Sequence, residues 1–186
     1  MELTKEQLTA AMPNARTNIV SNPNFRGTTL QKVVDIINQY AEEFEITTPR
    51  RMAHFLAQIA HECCEFRYTE ELASGKNYEG RKDLGNTHEG DGVKYKGRGC
   101  IQITGRANYQ AYKEYCGYDV VSHPELLTRP VGAIRSAMWY WQRHGLNTQA
   151  DMDAFTTITK RINGGVNGYA SRQSYLMKAK QALGVN

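Results

Sequence analysis

Apolar residues recur at the spacing of an α-helix along most of this chain. The clearest stripe comprises Leu30, Val33, Val34, Ile37, Ala41 and Phe44. Similar patterns predict helices over 108–116, from Pro130, over 152–162 and over 172–183. The chain is therefore expected to be mainly helical.

Local start and stop signals support these helices. Thr4 and Thr28 each stand three residues before a glutamine, which is the spacing of a capping box. The first helix is expected to stop at Pro13, and Ser171 is expected to cap the last one. Asparagine, proline and glycine in residues 14–27 predict a loop between the first two helices.

The segment from Thr48 to Glu71 predicts the helix around which the chain is organised. Thr48 can cap it and Pro49 can begin it, and an apolar row follows at helical spacing. Glu62 falls on the same face as this row, near the helix C-terminus. Desolvation and the helix dipole both favour an uncharged carboxyl there, as a general acid requires. A second carboxylate, Glu71, follows nine residues later, beyond the helix.

A long irregular segment follows. Residues 72–99 hold seven glycines and show little periodicity, so they are expected to form the wall of a cleft. Alternation over 100–104 predicts a short strand that places Gln102 and Thr104 on one face. The total is a mainly α protein with a small β element.

Composition limits the classes of function. The 186 residues suit one domain over 1–186, without a repeat, a linker or a separate binding module. The net charge of +4 is too scattered to predict nucleic-acid binding, but it suits an anionic polymer. No signal peptide or membrane-spanning segment is predicted. Four cysteines without a CxxC pattern are expected to be reduced thiols, namely Cys63, Cys64, Cys100 and Cys116.

Two carboxylates in unlike surroundings predict acid and base chemistry without a cofactor. Glu62 would protonate a leaving oxygen, and Glu71, on a more solvated loop, would activate water. Gln102 and Thr104 offer an amide and a hydroxyl to a water or a sugar, and Asn163 offers an amide at a Gly-Gly turn. Each of these three residues alone is ordinary in a strand or at a helix stop.

Two other classes of function compete with this one. The second class is a metal hydrolase or a peptidase. His54 and His61 could ligate a metal, but the His-Glu-x-x-His pattern is absent because residue 65 is glutamate. A cysteine peptidase lacks a local signature. The third class is a catalytically silent carbohydrate-binding protein, which the presence of both carboxylates with Thr104 disfavours.

Four motifs in order, AHFLAQIAHE, KYKGRGCIQITGRANY, WYWQRHGLN and ITKRINGGVNGYASR, resemble glycoside hydrolase family 19. Within it, the chain is most similar to small lysozyme-like phage endolysins, from about Leu3 to Leu183. The resemblance implies a lysozyme-like fold with two helical lobes around a cleft. It also implies inverting hydrolysis of β-1,4 links next to N-acetylated sugars.

The resemblance implies roles for individual residues. Glu62 matches the general acid, Glu71 the base of endolysin-like members, and Thr104 the residue that holds the attacking water. Because plant-type chitinases place the base in a longer loop, Glu70 and Glu79 also stay open as the base. Sugar-contacting or cleft positions are assigned to His61, Gln102, Asn108, Asn163 and Arg172. Cys63 and Cys64 depart from the small residues that often follow His-Glu in such members.

The resulting expectation is an endolysin that hydrolyses the glycan strand of bacterial peptidoglycan, with chitin as the alternative substrate. It is expected to be a monomer without a metal, a nucleic-acid partner or a stable membrane association. It would be made in the host cytoplasm and reach the cell wall after another protein permeabilises the membrane.

Overall fold

The computed structural model describes residues 1–186 as a mainly helical protein. Its helices are α1 Lys5–Ala11, α2 Ala15–Ser21, α3 Leu30–Ala41, α4 Pro49–Glu62, α5 Asp91–Lys94, α6 Arg106–Cys116, α7 Pro130–Arg143, α8 Leu146–Asp151, α9 Phe155–Asn163 and α10 Tyr169–Leu183. Single 3-10 turns cover Pro23–Phe25, Lys76–Tyr78, Lys82–Leu84 and Pro124–Thr128. The β pairing consists of two isolated bridges, which join Arg98 to Glu70 and to Ile103. The predicted mainly α fold with a small β element is confirmed.

Helix α4 lies in the centre of the core. The Thr48 hydroxyl accepts the Arg51 N–H at 3.2 Å, which confirms the predicted cap. Every residue from Met52 to Ala60 is buried, so the helix is enclosed on all sides and not on one stripe only. It packs chiefly along α10, and the Phe55 ring meets that of Trp141 edge to face, with centroids 5.5 Å apart.

The apolar side chains form one continuous core that extends from Leu3 to Leu183. Two buried polar side chains of α4 have partners inside it, although His54 Nδ1 has none. Gln58 donates to the Thr159 hydroxyl at 3.2 Å, and His54 Nε2 lies 2.7 Å from an Asp153 oxygen. None of the helices combines the length and the apolar character that crossing a membrane requires.

Two of the predicted boundaries near the N-terminus are wrong. Residues 14–27 were expected to be a loop, yet they contain α2, whose Ala15 and Ile19 are buried. Its few apolar positions give a weak helical pattern, so its contacts with the rest of the fold decide the structure. Helix α3 is capped by Thr29 and not by Thr28, because the Thr29 hydroxyl accepts the Lys32 N–H at 3.1 Å.

Two boundaries near the C-terminus also differ. The helix predicted over 152–162 begins only at Phe155, since the preceding residues end α8 and turn the chain at Asp153, where φ is +53°. The last helix begins at Tyr169, so Ser171 lies inside it and does not cap it. Gly168 takes the cap position with φ +70°, a conformation that glycine adopts without a steric penalty.

The strand predicted over 100–104 is a tight turn. Arg98 and Ile103 exchange both backbone N–H···O bonds, at 3.2 and 2.8 Å, so the chain reverses between them. Ile101 is buried and Gln102 is exposed, so the alternation reflects burial on a turn. Gly99 has φ +101°, and a Cβ there would lie 2.8 Å from the Ser136 hydroxyl oxygen, so the turn requires glycine.

Side-chain to backbone bonds hold the glycine-rich segment 72–99 in place. Asn86 is fully buried, donates to the Tyr78 carbonyl at 2.9 Å and accepts the Arg106 N–H at 2.8 Å. Asp91, also buried, pairs with the Arg106 guanidinium at 2.6 and 2.8 Å. This irregular segment is therefore anchored to the start of α6.

The Asp91–Arg106 pair makes stability depend on pH. Its hydrogen bonds from the Arg106 guanidinium and the His88 N–H lower the pKa of Asp91 to about 2, below the unfolded value of about 3.9. The pair therefore stabilises the fold fully above about pH 4, and this stabilisation is lost as the pH falls towards about 2. We expect Asp91→Asn to lower the free energy of unfolding at neutral pH by about 1–3 kcal/mol.

Urea unfolding of both proteins over a range of pH measures this effect. The difference between parent and variant should shrink across the same acidic window. A difference that stays constant throughout that window would contradict the assignment.

Candidate active site

Glu62 is the last residue of α4, and its side chain is 22% exposed. Arg172 Nη1 lies 2.6 Å from Glu62 Oε1, and it donates a hydrogen bond to Gln58 Oε1 at 2.7 Å. Glu62 Oε1 is thus buried beside a cation but receives no hydrogen bond. Because Oε1 is buried against Arg172, a substrate can reach this carboxylate only at Oε2.

Arg172 connects Glu62 to the end of α9. Its Nε donates to the Asn167 carbonyl at 3.0 Å, and the Asn167 N–H donates to the Asn163 side chain at 3.2 Å. The structure thereby links Asn163 and Glu62 through two intervening residues. The assignment of Arg172 to sugar contact is wrong in one respect: its side chain is 1% exposed, so it acts on Glu62 and not directly on a sugar.

His61 packs against the start of α10. Its Nδ1 lies 3.0 Å from the Ser171 hydroxyl oxygen, and a Cβ on Gly168 would collide with its ring. Burial and the nearby Arg172 guanidinium lower the pKa of His61, so the imidazole is neutral at neutral pH. His61 also lines a cavity of about 670 Å³ that extends to Arg67.

Glu71 lies on the other side of the site, where hydrogen bonds hold both its carboxylate oxygens. Oε1 accepts from the Tyr78 hydroxyl at 2.9 Å, and Oε2 accepts from the Gly97 N–H at 3.0 Å. The Glu71 N–H donates in turn to the Gly97 carbonyl at 2.8 Å. Burial and the Glu71 carboxylate raise the pKa of Tyr78, so this hydroxyl stays protonated and continues to donate.

The two alternative bases, Glu70 and Glu79, also have partners within the protein. Glu70 Oε1 pairs with Arg98 at 3.1 Å and with Lys96 at 3.4 Å. The Glu79 carboxylate accepts the N–H groups of Gly90 and Gly92, at 2.8 and 2.7 Å. These contacts tie Glu70 to the bridge at Arg98 and Glu79 to the start of α5, and the choice of Glu71 among the three glutamates stays a prediction.

Gln102, Thr104 and Asn108 lie on the same side as Glu71. The Gln102 amide fills the space where Gly97 lacks a side chain, since a Cβ there would lie 2.5 Å from Gln102 Oε1. Asn108 is exposed, and its Nδ2 donates to the Thr104 carbonyl at 2.7 Å. Thr104 is half-buried, and this contact leaves its hydroxyl uninvolved.

The thiols of Cys63 and Cys100 lie where the end of α4 meets the turn at 98–103. The Cys63 thiol, directly after Glu62, donates to the Ile59 carbonyl at 3.0 Å. A hydrogen bond with Cys63, together with burial, raises the pKa of the Cys100 thiol. All four cysteines are free, and Cys100 also donates its N–H to the Ala133 carbonyl at 3.0 Å. The turn at 98–103 therefore packs against the end of α4 beside Glu62.

Three residues that the sequence analysis did not single out also build the site. Gln58 stands four residues before Glu62 on the same helix face, a spacing that could have revealed it. Tyr78 and Asn167 lie in irregular segments, where sequence spacing does not indicate which groups meet. His54, by contrast, is buried against Asp153 and does not share a partner with His61.

A family model described as "Chitinase class I", that of glycoside hydrolase family 19, matches residues 37–156. This chain belongs to glycoside hydrolase family 19. The matched region contains α4, both candidate carboxylates and the turn at 98–103. The members of this family are classed as glycoside hydrolases.

Curated relatives agree with this family 19 assignment. A glycosyl hydrolase family 19 domain-containing protein of Haemophilus influenzae is 39% identical over 103 residues, which are 55% of this chain and 49% of that protein. An endochitinase of Arabidopsis thaliana is 36% identical over 144 residues, covering 73% of this chain and 49% of that protein. The chain thus spans about half the length of these relatives.

Solved structures agree with the family 19 fold. Chitinase C from Streptomyces griseus has a TM-score of 0.76 at 22% identity, with 98% of this chain and 93% of that chain covered. A class IV chitinase from Zea mays gives 0.62 at 24% identity, with 100% and 83% covered. The predicted lysozyme-like architecture is confirmed at the level of the fold.

Substitution of the carboxylates tests the site. We expect Glu62→Gln and Glu71→Gln each to keep the fold and to lower kcat by roughly two to four orders of magnitude, because an amide neither donates an acidic proton nor accepts one from water. The measurement is the rate of reducing-end release by each purified variant.

Glu70→Gln is the matched control, since it removes a neighbouring carboxylate that pairs with Arg98. It should lower stability while retaining most of kcat. If Glu70→Gln or Glu79→Gln were the inactive variant, the base would be misassigned.

Proposed function

We propose that this family 19 hydrolase cleaves the β-1,4 links of the glycan strand of bacterial peptidoglycan with inversion. The supporting observation is an exposed cation, Arg67, beside Glu71. A cavity of about 410 Å³ there is lined by Glu70, Glu71, Arg67, Tyr68 and Lys96. Lys96 pairs with Glu70, so the exposed guanidinium of Arg67 is the cation that a substrate can meet. The cavity shares Arg67 and Tyr68 with the cavity beside His61, so the two cavities adjoin at these side chains, and together they are called the groove.

In the proposed reaction Glu62 protonates the glycosidic oxygen as the C–O bond breaks. A water held by Thr104 attacks the opposite face of the sugar, and Glu71 accepts its proton. Tyr78 and Gly97 fix both oxygens of Glu71 in the orientation described above. Preorganised hydrogen bonds of this kind lower the cost of ordering the site during the reaction.

The substrate is inferred from charge. Peptidoglycan strands carry lactyl-linked peptides with free carboxylates, whereas chitin is uncharged. The Arg67 side chain is exposed, and its guanidinium lies over the Tyr68 ring, 5.5 Å from the centroid. Its charge can therefore meet a carboxylate at the groove while the aromatic ring contacts a sugar face.

The cellular role is a further part of this proposal. The proposal is a monomeric endolysin that lyses the host cell from within, once a separate protein has permeabilised the membrane. Peptidoglycan strands are its partner.

Chitin is the second candidate, because the relatives from Arabidopsis thaliana are named endochitinases. The same two carboxylates would then act on N-acetylglucosamine polymers. Contacts of the groove outside the two reacting carboxylates would then decide which polymer is preferred.

A paired assay on purified peptidoglycan and soluble chitin oligomers, at low and high salt, tests the substrate. We expect cleavage of peptidoglycan, with activity that falls as salt screens the attraction. Arg67→Gln should weaken peptidoglycan cleavage about threefold to tenfold through KM, as expected for the loss of one charged contact.

Arg16→Gln serves as the control, since it removes an exposed charge that does not line the groove. It should leave both activities unchanged. Efficient cleavage of chitin with no new reducing ends from peptidoglycan would instead identify a chitinase.

Stereochemistry tests the mechanism independently of the substrate. Attack by a water on the face opposite to Glu62 should release the α-anomer first, without a covalent sugar intermediate. Proton NMR of a fresh digest identifies the first anomer. A β-anomer would refute inversion whichever polymer is cleaved.

A further inference from the structure

We infer that three asparagines at the N-terminal side of the protein set the spacing between the two reacting carboxylates. Asn14, Asn18 and Asn22, here called the asparagine ladder, hold the turn that connects Glu62 to Glu71. The inference rests on the proposed function in one respect, namely that both glutamates take part in the reaction.

The turn after Glu62 has an unusual backbone. Cys64, Glu65 and Phe66 all have positive φ, at 48°, 51° and 70°. Residues with side chains visit this left-handed region singly and at a steric cost, so three in succession require external support. Inside the turn, the Arg67 N–H bonds to the Cys64 carbonyl at 3.1 Å and the Tyr68 N–H to the Cys63 carbonyl at 3.0 Å.

The asparagine ladder supplies that support. Asn18 donates from Nδ2 to the Cys64 carbonyl at 2.9 Å, and Asn22 donates from Nδ2 to the Phe66 carbonyl at 2.8 Å. The three asparagines occur at intervals of four residues along and around α2, which places them on one face. Asn18 therefore bonds to the start of the left-handed turn, and Asn22 bonds to its end.

Asn14, the first residue of the asparagine ladder, bonds to Glu65, the middle residue of the turn. The Glu65 carboxylate is buried and accepts the Asn14 N–H at 2.6 Å and the Asn14 Nδ2 at 3.1 Å. It also accepts the Tyr175 hydroxyl at 2.7 Å, so α10 holds the turn from a second direction. All three left-handed residues are thus bonded to groups outside the turn.

The path of the chain after the turn connects the asparagine ladder to the reaction. The turn reverses the chain after α4, so that Glu71 reaches Gly97 and forms the contacts described above. Asn22 also donates to the Thr69 hydroxyl at 3.3 Å, and that hydroxyl donates to the Thr128 carbonyl at 2.7 Å. The ladder therefore constrains the chain from Glu62 almost to Glu71, and its asparagines are positioning residues.

The test compares Asn18→Ala with Asn38→Ala by steady-state kinetics and by the amide NMR shift of Gly97, which reports the Glu71 contact. Asn38 is an equally half-buried asparagine, which bonds both backbone groups of Leu3 away from the turn. Asn18→Ala should lower kcat about tenfold, as small misplacements do, with KM changed less than about twofold. It should also shift the Gly97 amide, whereas Asn38→Ala should lower stability alone.

A rescue separates positioning from folding. Glycine adopts positive φ without a steric penalty, so Cys64→Gly should restore most of the kcat lost in Asn18→Ala. Cys64→Val, which disfavours positive φ, should lower kcat with the ladder intact.

Equal effects of Asn18→Ala and Asn38→Ala, or a rise in KM with unchanged kcat, would overturn the inference. So would a Gly97 amide that Asn18→Ala leaves unmoved. If the parent protein cleaves neither polymer, the proposed function fails, while the Gly97 amide still decides whether the ladder positions Glu71.

Discussion

The buried guanidinium of Arg172 is the constraint on which the site depends. An arginine that is 1% exposed must have its charge compensated and its N–H groups bonded, since an unpaired buried charge would cost several kcal/mol. The available partners are Glu62, Gln58 and the Asn167 carbonyl. They come from α4 and from the loop before α10, so satisfying this one side chain fixes the end of one helix against the start of the other.

The rest of the site is built from conformations that need support from elsewhere in the fold. The chain leaves α4 through three left-handed residues, and the opposite side reverses at Gly99 with φ +101°. Each left-handed residue with a side chain costs roughly 1 kcal/mol or more. Hydrogen bonds from α2 and close packing at Ser136 hold these turns, so helices distant from the carboxylates contribute to their geometry.

The sequence predicted best what depends on local pattern. The cap at Thr48, the extent of α4 and the place of Glu62 follow from helical spacing and capping chemistry, which neighbouring residues determine. It predicted poorly what depends on distant partners. Helix α2 has little apolar pattern, and its asparagines suggested a loop. In the structure these asparagines form hydrogen bonds to the distant turn at 64–66, which sequence spacing does not indicate.

The same distinction applies inside the candidate site. Alternation at 100–104 correctly separated the buried Ile101 and Ile103 from the exposed Gln102, but it could not distinguish a strand from a turn. The partners of Glu71, Glu70 and Glu79 lie in irregular backbone, where contacts depend on the path of the whole segment. Family resemblance selected Glu71, and the structure shows which groups hold its two carboxylate oxygens.

The complete burial of α4 has a mechanical consequence. A helix enclosed on every side from Met52 to Ala60 cannot shift without disturbing packing in all directions, so the wall that carries Glu62 is stiff. The wall that carries Glu71 consists of short turns held by individual hydrogen bonds, and such segments open at lower free energy than packed helices. The two walls therefore resist deformation by different means: the wall of Glu62 by packing on every side, and the wall of Glu71 by a few hydrogen bonds.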